Sequence, residues 1–113
     1  MQLSIDTKRT GDEALVKLSG ELDMLSAPEL SDELKEVLDG GATRVVVDMT
    51  DLEFMDSSGL SAILGAHQSA EERGATLTLF GPSERVIRLV NITGLGDVFE
   101  IRGNPDASSS DSH

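Results

Sequence analysis

Hydrophobic and polar positions alternate along the first twenty residues of the chain. Leu3 and Ile5 have polar neighbours, and beyond Gly11-Asp12-Glu13 apolar residues again occupy every second position. A period of two residues is typical of a half-buried β-strand, and two such runs on either side of a glycine turn indicate a hairpin. The chain therefore predicts an antiparallel β-hairpin near its N-terminus.

Three later segments change to a helical period. The first begins at Ser26, with Glu29 at the spacing of a capping box and Pro28 in the first turn, where its missing N–H is not needed. The second helix follows the turn at residues 56–59, and the third follows Ser83. Glycines close each helical pattern, as expected at helix ends.

Strands are predicted between these helices. Val45-Val46-Val47 is a continuous β-branched run, which predicts a central strand covered on both faces. Residues 48–56 are rich in acidic side chains and read as a solvated loop, residues 75–80 predict another strand, and residues 98–101 fit either a last strand or a helical turn. This order predicts a single α/β domain in which helices pack on a mixed β-sheet with parallel central strands and the N-terminal antiparallel hairpin.

Length and composition restrict the classes of function. The 113 residues suit one domain, predicted over 1–102, and residues 103–113 are Ser-rich and predicted to be disordered. With 9 Lys and Arg against 21 Asp and Glu, the net charge is −12, which disfavours nucleic acid and anionic membranes as direct partners. No cysteine, apolar membrane span or leader pattern is present, so a cytoplasmic location is expected.

The sequence contains few residues or motifs that indicate an enzyme. No Gly-Lys pair occurs, and Gly94-Leu95-Gly96 lacks the third glycine of a dinucleotide fingerprint. His67 falls on the apolar face of the second helix, which favours a packing role over general-base chemistry. The acidic residues within 48–56 could bind a hard cation, but their spacing fits no calcium loop. We predict no catalytic residues, no metal and no cofactor.

The most informative motif is Asp56-Ser57-Ser58-Gly59. Asp and Ser are favoured at helix N-caps, where their oxygens accept backbone N–H groups, so a purely structural role accounts for much of the motif. A serine on an exposed turn at a helix N-terminus is also a good phosphorylation site, because the backbone N–H groups and the helix dipole tolerate a phosphate there.

Three segments together resemble a known family. They are Phe54-Met55-Asp56-Ser57-Ser58-Gly59-Leu60 with the small and apolar residues 61–65, Gly20-Glu21-Leu22-Asp23, and Pro82-Ser83 with the exit Thr93-Gly94-Leu95. These segments, in their order along the chain, are similar to those of the bacterial anti-sigma factor antagonists, which are stand-alone STAS domains. The resemblance extends from about Leu3 to Ile101.

The resemblance implies partner switching in transcription regulation. The unphosphorylated protein would bind an anti-sigma factor that is also a serine kinase with a Bergerat-type ATP site, and so release a sigma factor. The kinase would phosphorylate Ser58, with Ser57 as second candidate, and a PPM-class serine phosphatase would restore the binding form. The resemblance also implies partner-binding residues: Asp23, Asp56, Ser57, Gly59 and Leu60.

Other interpretations remain open from the residues alone. Asp23 also fits the role of a turn residue, and Asp56 that of a helix cap. The whole chain also fits a STAS scaffold, a subunit of a transport complex, or a small-ligand or nucleotide sensor that uses the second helix N-terminus. The resemblance favours a monomer and leaves the regulatory programme open, whether sporulation, general stress response or another.

Overall fold

The computed structural model describes residues 2–103, which form five strands and three helices. The elements are β1 (Ser4–Thr10), β2 (Glu13–Leu22), α1 (Ala27–Asp39), β3 (Arg44–Met55), α2 (Ser57–Glu72), β4 (Thr76–Phe80), α3 (Glu84–Ile92) and β5 (Glu100–Arg102). The predicted tail lies outside the described residues from position 104 onward. Of residues 98–101, Glu100 and Ile101 lie in the short strand β5, whereas Val98 lies in a turn and its N–H donates to the Leu95 carbonyl at 3.0 Å.

The N-terminal hairpin is confirmed. Strands β1 and β2 pair antiparallel with Thr10 opposite Glu13, so Gly11 and Asp12 form a two-residue loop. Gly11 has a φ of 59°, whereas the φ of Asp12 is negative. A positive φ at the first loop residue matches the twist of the flanking strands and is accessible at low cost to glycine.

The strand order places all three helices on one face of the sheet. The order is β1-β2-β3-β4-β5, and the pairs β2–β3, β3–β4 and β4–β5 are parallel. Each parallel step moves in the same direction, and crossovers of this kind are right-handed, so the helices fall on the same side. The predicted α/β fold with a mixed sheet is confirmed.

One side of the sheet carries the core. In β2 every second residue from Ala14 to Leu22 is buried. The largest fully buried side chains come from both the strands and the helices: Leu18, Leu22, Leu30, Leu34, Met49, Ile63 and Leu79. None of the helices within residues 2–103 is long and apolar enough to cross a membrane.

The prediction that Val45-Val46-Val47 is covered on both faces is wrong. Val45 and Val47 are 1% and 0% exposed, whereas Val46 is only partly buried. Adjacent residues of a strand point to opposite faces, and the helices cover only the face of Val45 and Val47. The third β-branched residue therefore reflects strand propensity rather than burial.

The prediction of a solvated loop over residues 48–56 is also wrong, because β3 continues to Met55. Leu52 and Met55 are buried, and they pair with Gly20 and Leu22 of β2. The pairing is irregular in this region, with register shifts after Lys17 and after Gly20. These bulges break the simple alternation of apolar and polar residues, which is why the extended strand resembled a loop in the sequence.

Candidate functional site

The predicted site residues meet where two neighbouring parallel strands end. Leu22 closes β2 and Met55 closes β3, and the two residues are paired. The segments that follow them therefore emerge side by side, and the Asp56 N–H donates to the Leu22 carbonyl at 3.1 Å. In this way the sheet brings together Asp23 and the Asp56-Ser57-Ser58-Gly59 turn, which are far apart in the sequence.

Asp56 is the N-cap of α2. One of its carboxylate oxygens accepts hydrogen bonds from the backbone N–H groups of Ser58 at 2.9 Å and Gly59 at 3.1 Å. Its own backbone is extended, as is usual for a residue that precedes the first turn. Asp56 therefore fixes the conformation of the two peptide groups on either side of the Ser58 side chain.

The loss of this cap is expected to destabilise the domain. Replacing Asp56 by Ala removes the acceptor of two N–H groups, which costs about 0.5–2 kcal/mol of unfolding free energy. Urea denaturation followed by circular dichroism measures the change. Asp56→Asn is the matched control, because Asn caps nearly as well as Asp without its charge. Equal losses for Ala and Asn would show that the charge matters and the cap does not.

The two serines of the motif occupy different surroundings. Ser57 is exposed at the first position of α2, and Ser58 is partly buried at the second. The hydroxyl of Ser58 makes no hydrogen bond to any residue from 2 to 103. Ser58 lines a shallow, open groove between the first turns of α1 and α2, where it is accompanied by Met24, Pro28 and Ser61.

Gly59 and Leu60 lie beneath this surface rather than on it. Leu60 is 2% exposed and Gly59 is buried. A Cβ on Gly59 would lie 2.6 Å from Cγ of Leu22 and 2.9 Å from Cγ of Met55. The partner contact implied for these two residues stays a prediction, and their burial leaves little of either one for a partner to touch. In the structure they join the N-terminus of α2 to the strand ends.

Asp23 organises the loop between β2 and α1. Its carboxylate accepts hydrogen bonds from the backbone N–H groups of Leu25 at 3.0 Å and Ser26 at 3.1 Å, and lies 3.1 Å from the Ser26 hydroxyl. The hydrogen bond from the Ser26 backbone is the main cause that holds the pKa of Asp23 below its usual value, against a smaller opposing effect of desolvation. The contacts of Asp23 are therefore those of a turn residue.

The predicted capping box at Ser26 and Glu29 is wrong. Ser26 precedes α1, but its side chain makes no capping hydrogen bond. Its hydroxyl faces back into the loop, where it accepts from the Asp23 N–H at 3.0 Å and lies 3.1 Å from the Glu21 carbonyl oxygen. The Ser26 hydroxyl therefore forms its hydrogen bonds with backbone groups of the loop and not with the N–H groups of α1.

Two further surface residues were missed by the sequence reasoning. Met24 and Leu25, within the Asp23–Ser26 loop, are 69% and 86% exposed. Both residues lie beyond the end of β2 and before the start of α1. Two adjacent apolar residues in the connection between a strand and a helix were the available signal.

The other candidate residues have structural roles. Asp48 accepts from the backbone and hydroxyl of Thr50, and Asp51 pairs with Lys17 at 3.2 Å. No group of three or more potential metal ligands is assembled within residues 2–103. His67 has a side chain that is 13% exposed and packs edge-on against Phe99, with ring centroids 5.4 Å apart.

Comparisons with known proteins show the family and the fold. A family model described as a STAS domain matches residues 4–108. The anti-sigma-B factor antagonist of Listeria monocytogenes is 39% identical over 105 residues, which cover 90% of each chain. The anti-sigma factor antagonist SpoIIAA in its unphosphorylated form superposes with a TM-score of 0.78 at 23% identity, covering 96% of both chains. The phosphorylated form of SpoIIAA, a Bacillus cell fate determinant, has a TM-score of 0.72 at 21% identity, covering 97% of this chain and 100% of that one.

Proposed function

The chain belongs to the STAS domain family, and on that premise we propose that it is an anti-sigma factor antagonist switched off by phosphorylation of Ser58. The unphosphorylated form binds an anti-sigma factor that is also a serine kinase, and thereby frees a sigma factor. The protein is a regulated binding module and not an enzyme. The observation that carries the proposal is the meeting of the Ser58 turn and the Asp23–Ser26 loop at one edge of the sheet.

Its surroundings make Ser58 the better candidate for modification. Its hydroxyl is without a hydrogen bond among residues 2–103 and lies in the groove that a partner bound across both helices would cover. Ser57, one residue earlier, is exposed and does not line that groove. A kinase bound at the groove would therefore reach Ser58 as part of the same interface that it occupies.

The fold is suited to carry a phosphate without unfolding. Ser58 is the second residue of α2, where the helix dipole favours negative charge and Asp56 already binds the N–H groups of Ser58 and Gly59. Transfer forms a bond between the Ser58 Oγ and the γ-phosphorus of ATP, breaks the bond to the bridging oxygen, and releases ADP and the hydroxyl proton. SpoIIAA, which shares this fold, has been solved both with and without phosphate.

Charge explains why the modified form leaves its partner. A phosphate adds about −1.5 to −2 charges, so the net charge falls from −12 to roughly −14. Asp56 lies two residues away, and the sequence has no Lys or Arg between Arg44 and Arg73. Lys35 and Arg73 both bind Asp39, which ends α1 about 18 Å from its first residue. In the kinase, the phosphoserine would also face the phosphates of the ADP just formed.

The remaining parts of the cycle follow from this role. We propose that a metal-dependent PPM-class serine phosphatase removes the phosphate and restores the binding form. The antagonist acts as a monomer in the cytoplasm, and its partners are proteins rather than nucleic acid or membrane. Its net charge of −12 disfavours the latter two.

Intact-mass spectrometry tests the switch and its site. The full chain, Ser58→Ala and Ser57→Ala are each incubated with ATP and with the anti-sigma serine kinases encoded in the same genome. We expect one phosphate on the wild type and on Ser57→Ala, and none on Ser58→Ala. Loss only in Ser57→Ala would move the site to Ser57. A kinase that binds the chain tightly but transfers no phosphate would show that the proposed mechanism is wrong.

A further inference from the structure

The most exposed large apolar side chains beside the site are Met24 and Leu25. Leu25 is 86% exposed and Met24 69% exposed, compared with 39–41% for Phe54, Phe80 and Val98. Single exposed apolar residues are common on protein surfaces, but these two are adjacent and Met24 shares the groove of Ser58. They extend the surface around Ser58 with apolar area that is suited to burial against a partner.

The loop that carries these residues is held in place from within. The Asp23 carboxylate binds the N–H groups of Leu25 and Ser26, and the Ser26 hydroxyl accepts from the Asp23 N–H. The Ser26 and Ala27 N–H groups also donate to the Asp23 carbonyl at 3.1 and 2.8 Å. A loop ordered before binding loses less conformational entropy when it is captured, which favours its use as an anchor.

Acidic side chains surround the two apolar residues. The groove on the Leu25 side is lined by Glu21, Asp23 and Glu29, and the groove on the Met24 side by Asp32. Among residues 2–103, no Lys or Arg lines either groove. The complementary surface is thus an apolar pocket with basic side chains on the Leu25 side, where three of these four acidic residues lie and which Ser58 does not line. A second copy of this acidic chain is a poor occupant, because it would bring like charges together.

We propose that Met24 and Leu25 are the apolar anchor by which the unphosphorylated chain binds its anti-sigma factor, and that they determine which anti-sigma factor it accepts. The inference rests on the proposed function. Ser58 decides whether binding occurs, and the loop supplies affinity and selectivity through a pocket of matching shape and charge on the partner. The two roles are separable because Met24 and Leu25 take no part in the hydrogen bonds that hold Asp56 and Ser58.

The test compares two exposed apolar sites by isothermal titration calorimetry. Unphosphorylated Met24→Ser/Leu25→Ser is titrated with the anti-sigma kinase that phosphorylates the wild type. The matched control is Ile92→Ser, since Ile92 is 75% exposed but ends α3, at the opposite end of the strands from Ser58. We expect the double variant to bind about 30-fold or more weakly, as for a hot spot, and the control to bind like the wild type. Equal melting temperatures for all three proteins exclude unfolding as the cause.

Two further readouts complete the test. For phosphorylation of Ser58 by the same kinase, the double variant is expected to raise KM with little change in kcat, because the serine and its helix are untouched. Binding within threefold of the wild type would overturn the anchor while leaving the proposed function intact. A concentration-dependent dimer of the wild type that the double variant abolishes would assign the loop to self-association and also overturn it. If no anti-sigma kinase binds the wild type, the proposed function itself fails.

Discussion

A phosphate on Ser58 is expected to weaken binding to the anti-sigma factor by about 100-fold or more, and Ser58→Asp to reproduce much of this loss. The hydroxyl lies in the groove between the first turns of α1 and α2, so a charge placed there is buried against the partner. Like charges and unpaired charges at an interface cost several kcal/mol, and a 100-fold loss requires only about 2.7 kcal/mol. Surface plasmon resonance with the immobilised kinase measures the change.

Two variants separate charge from size and from position. Ser58→Asn has the shape of Ser58→Asp without its charge and is expected to retain most of the affinity. Ser57→Asp places the same charge on the exposed neighbouring residue, outside the groove, and should have a smaller effect. If Asn and Asp at position 58 weaken binding equally, exclusion by size explains the switch, and the electrostatic account is wrong.

The same substitution is expected to leave the domain folded. An acidic side chain in the first turn of α2 interacts favourably with the helix dipole, which offsets its repulsion from Asp56. Thermal unfolding of Ser58→Asp should therefore occur close to that of the wild type. A loss of binding together with a preserved melting temperature would place the effect at the interface.

Gly59→Ala is expected to destabilise the domain by about 1–3 kcal/mol, because it overpacks the junction between α2 and the sheet. The added Cβ would lie 2.6 Å from Cγ of Leu22, which is fully buried, and 2.9 Å from Cγ of Met55. Both neighbours end strands that are paired with each other, so neither can move away freely. The gain in helix propensity from Gly to Ala offsets only part of this cost. Urea denaturation measures the free energy of unfolding.

Gly65 provides the control on the same helix. It is exposed, and a Cβ at this position would meet no atom of residues 2–103 within 4 Å. Gly65→Ala should therefore stabilise the domain by about 0.5–1 kcal/mol, through helix propensity alone. Opposite signs for the two glycines of one helix are the expected result. Stabilisation by both substitutions would mean that the contact of Gly59 with the strand ends does not restrict the helix.

These expectations together describe a switch that needs no change of fold. Gly59 and Leu60 bind the start of α2 to the core, and Asp56 fixes its first N–H groups. Ser58 is consequently presented on a rigid support, where a phosphate alters charge and shape at the surface. A rigid presentation also limits the entropy lost when the groove is covered by a partner.

The sequence predicted the features that depend on neighbouring residues. The hairpin follows from a period of two around Gly11, and the Asp56 cap from a side chain two and three residues before the N–H groups it binds. The path of β3 beyond Val47 was not predicted, because its pairing with β2 is interrupted by register shifts. Ser26 was predicted as a capping residue, but its hydroxyl binds a backbone group of the loop instead. The local sequence pattern does not show whether a serine hydroxyl will bind the loop or the N–H groups of the helix.

By itself the sequence determined an α/β domain, its acidic character, and a serine motif that resembles the anti-sigma factor antagonists. Local periodicity and residue type suffice for these, because they act over a few residues. Only the tertiary structure decided that Leu60 is buried while Leu25 is exposed, and that Asp23 lies beside the Ser58 turn. Both depend on parallel strands β2 and β3 ending together, a pairing between residues more than thirty positions apart. Such non-local pairing arises from the packing of the whole chain, so no short segment of the sequence specifies it.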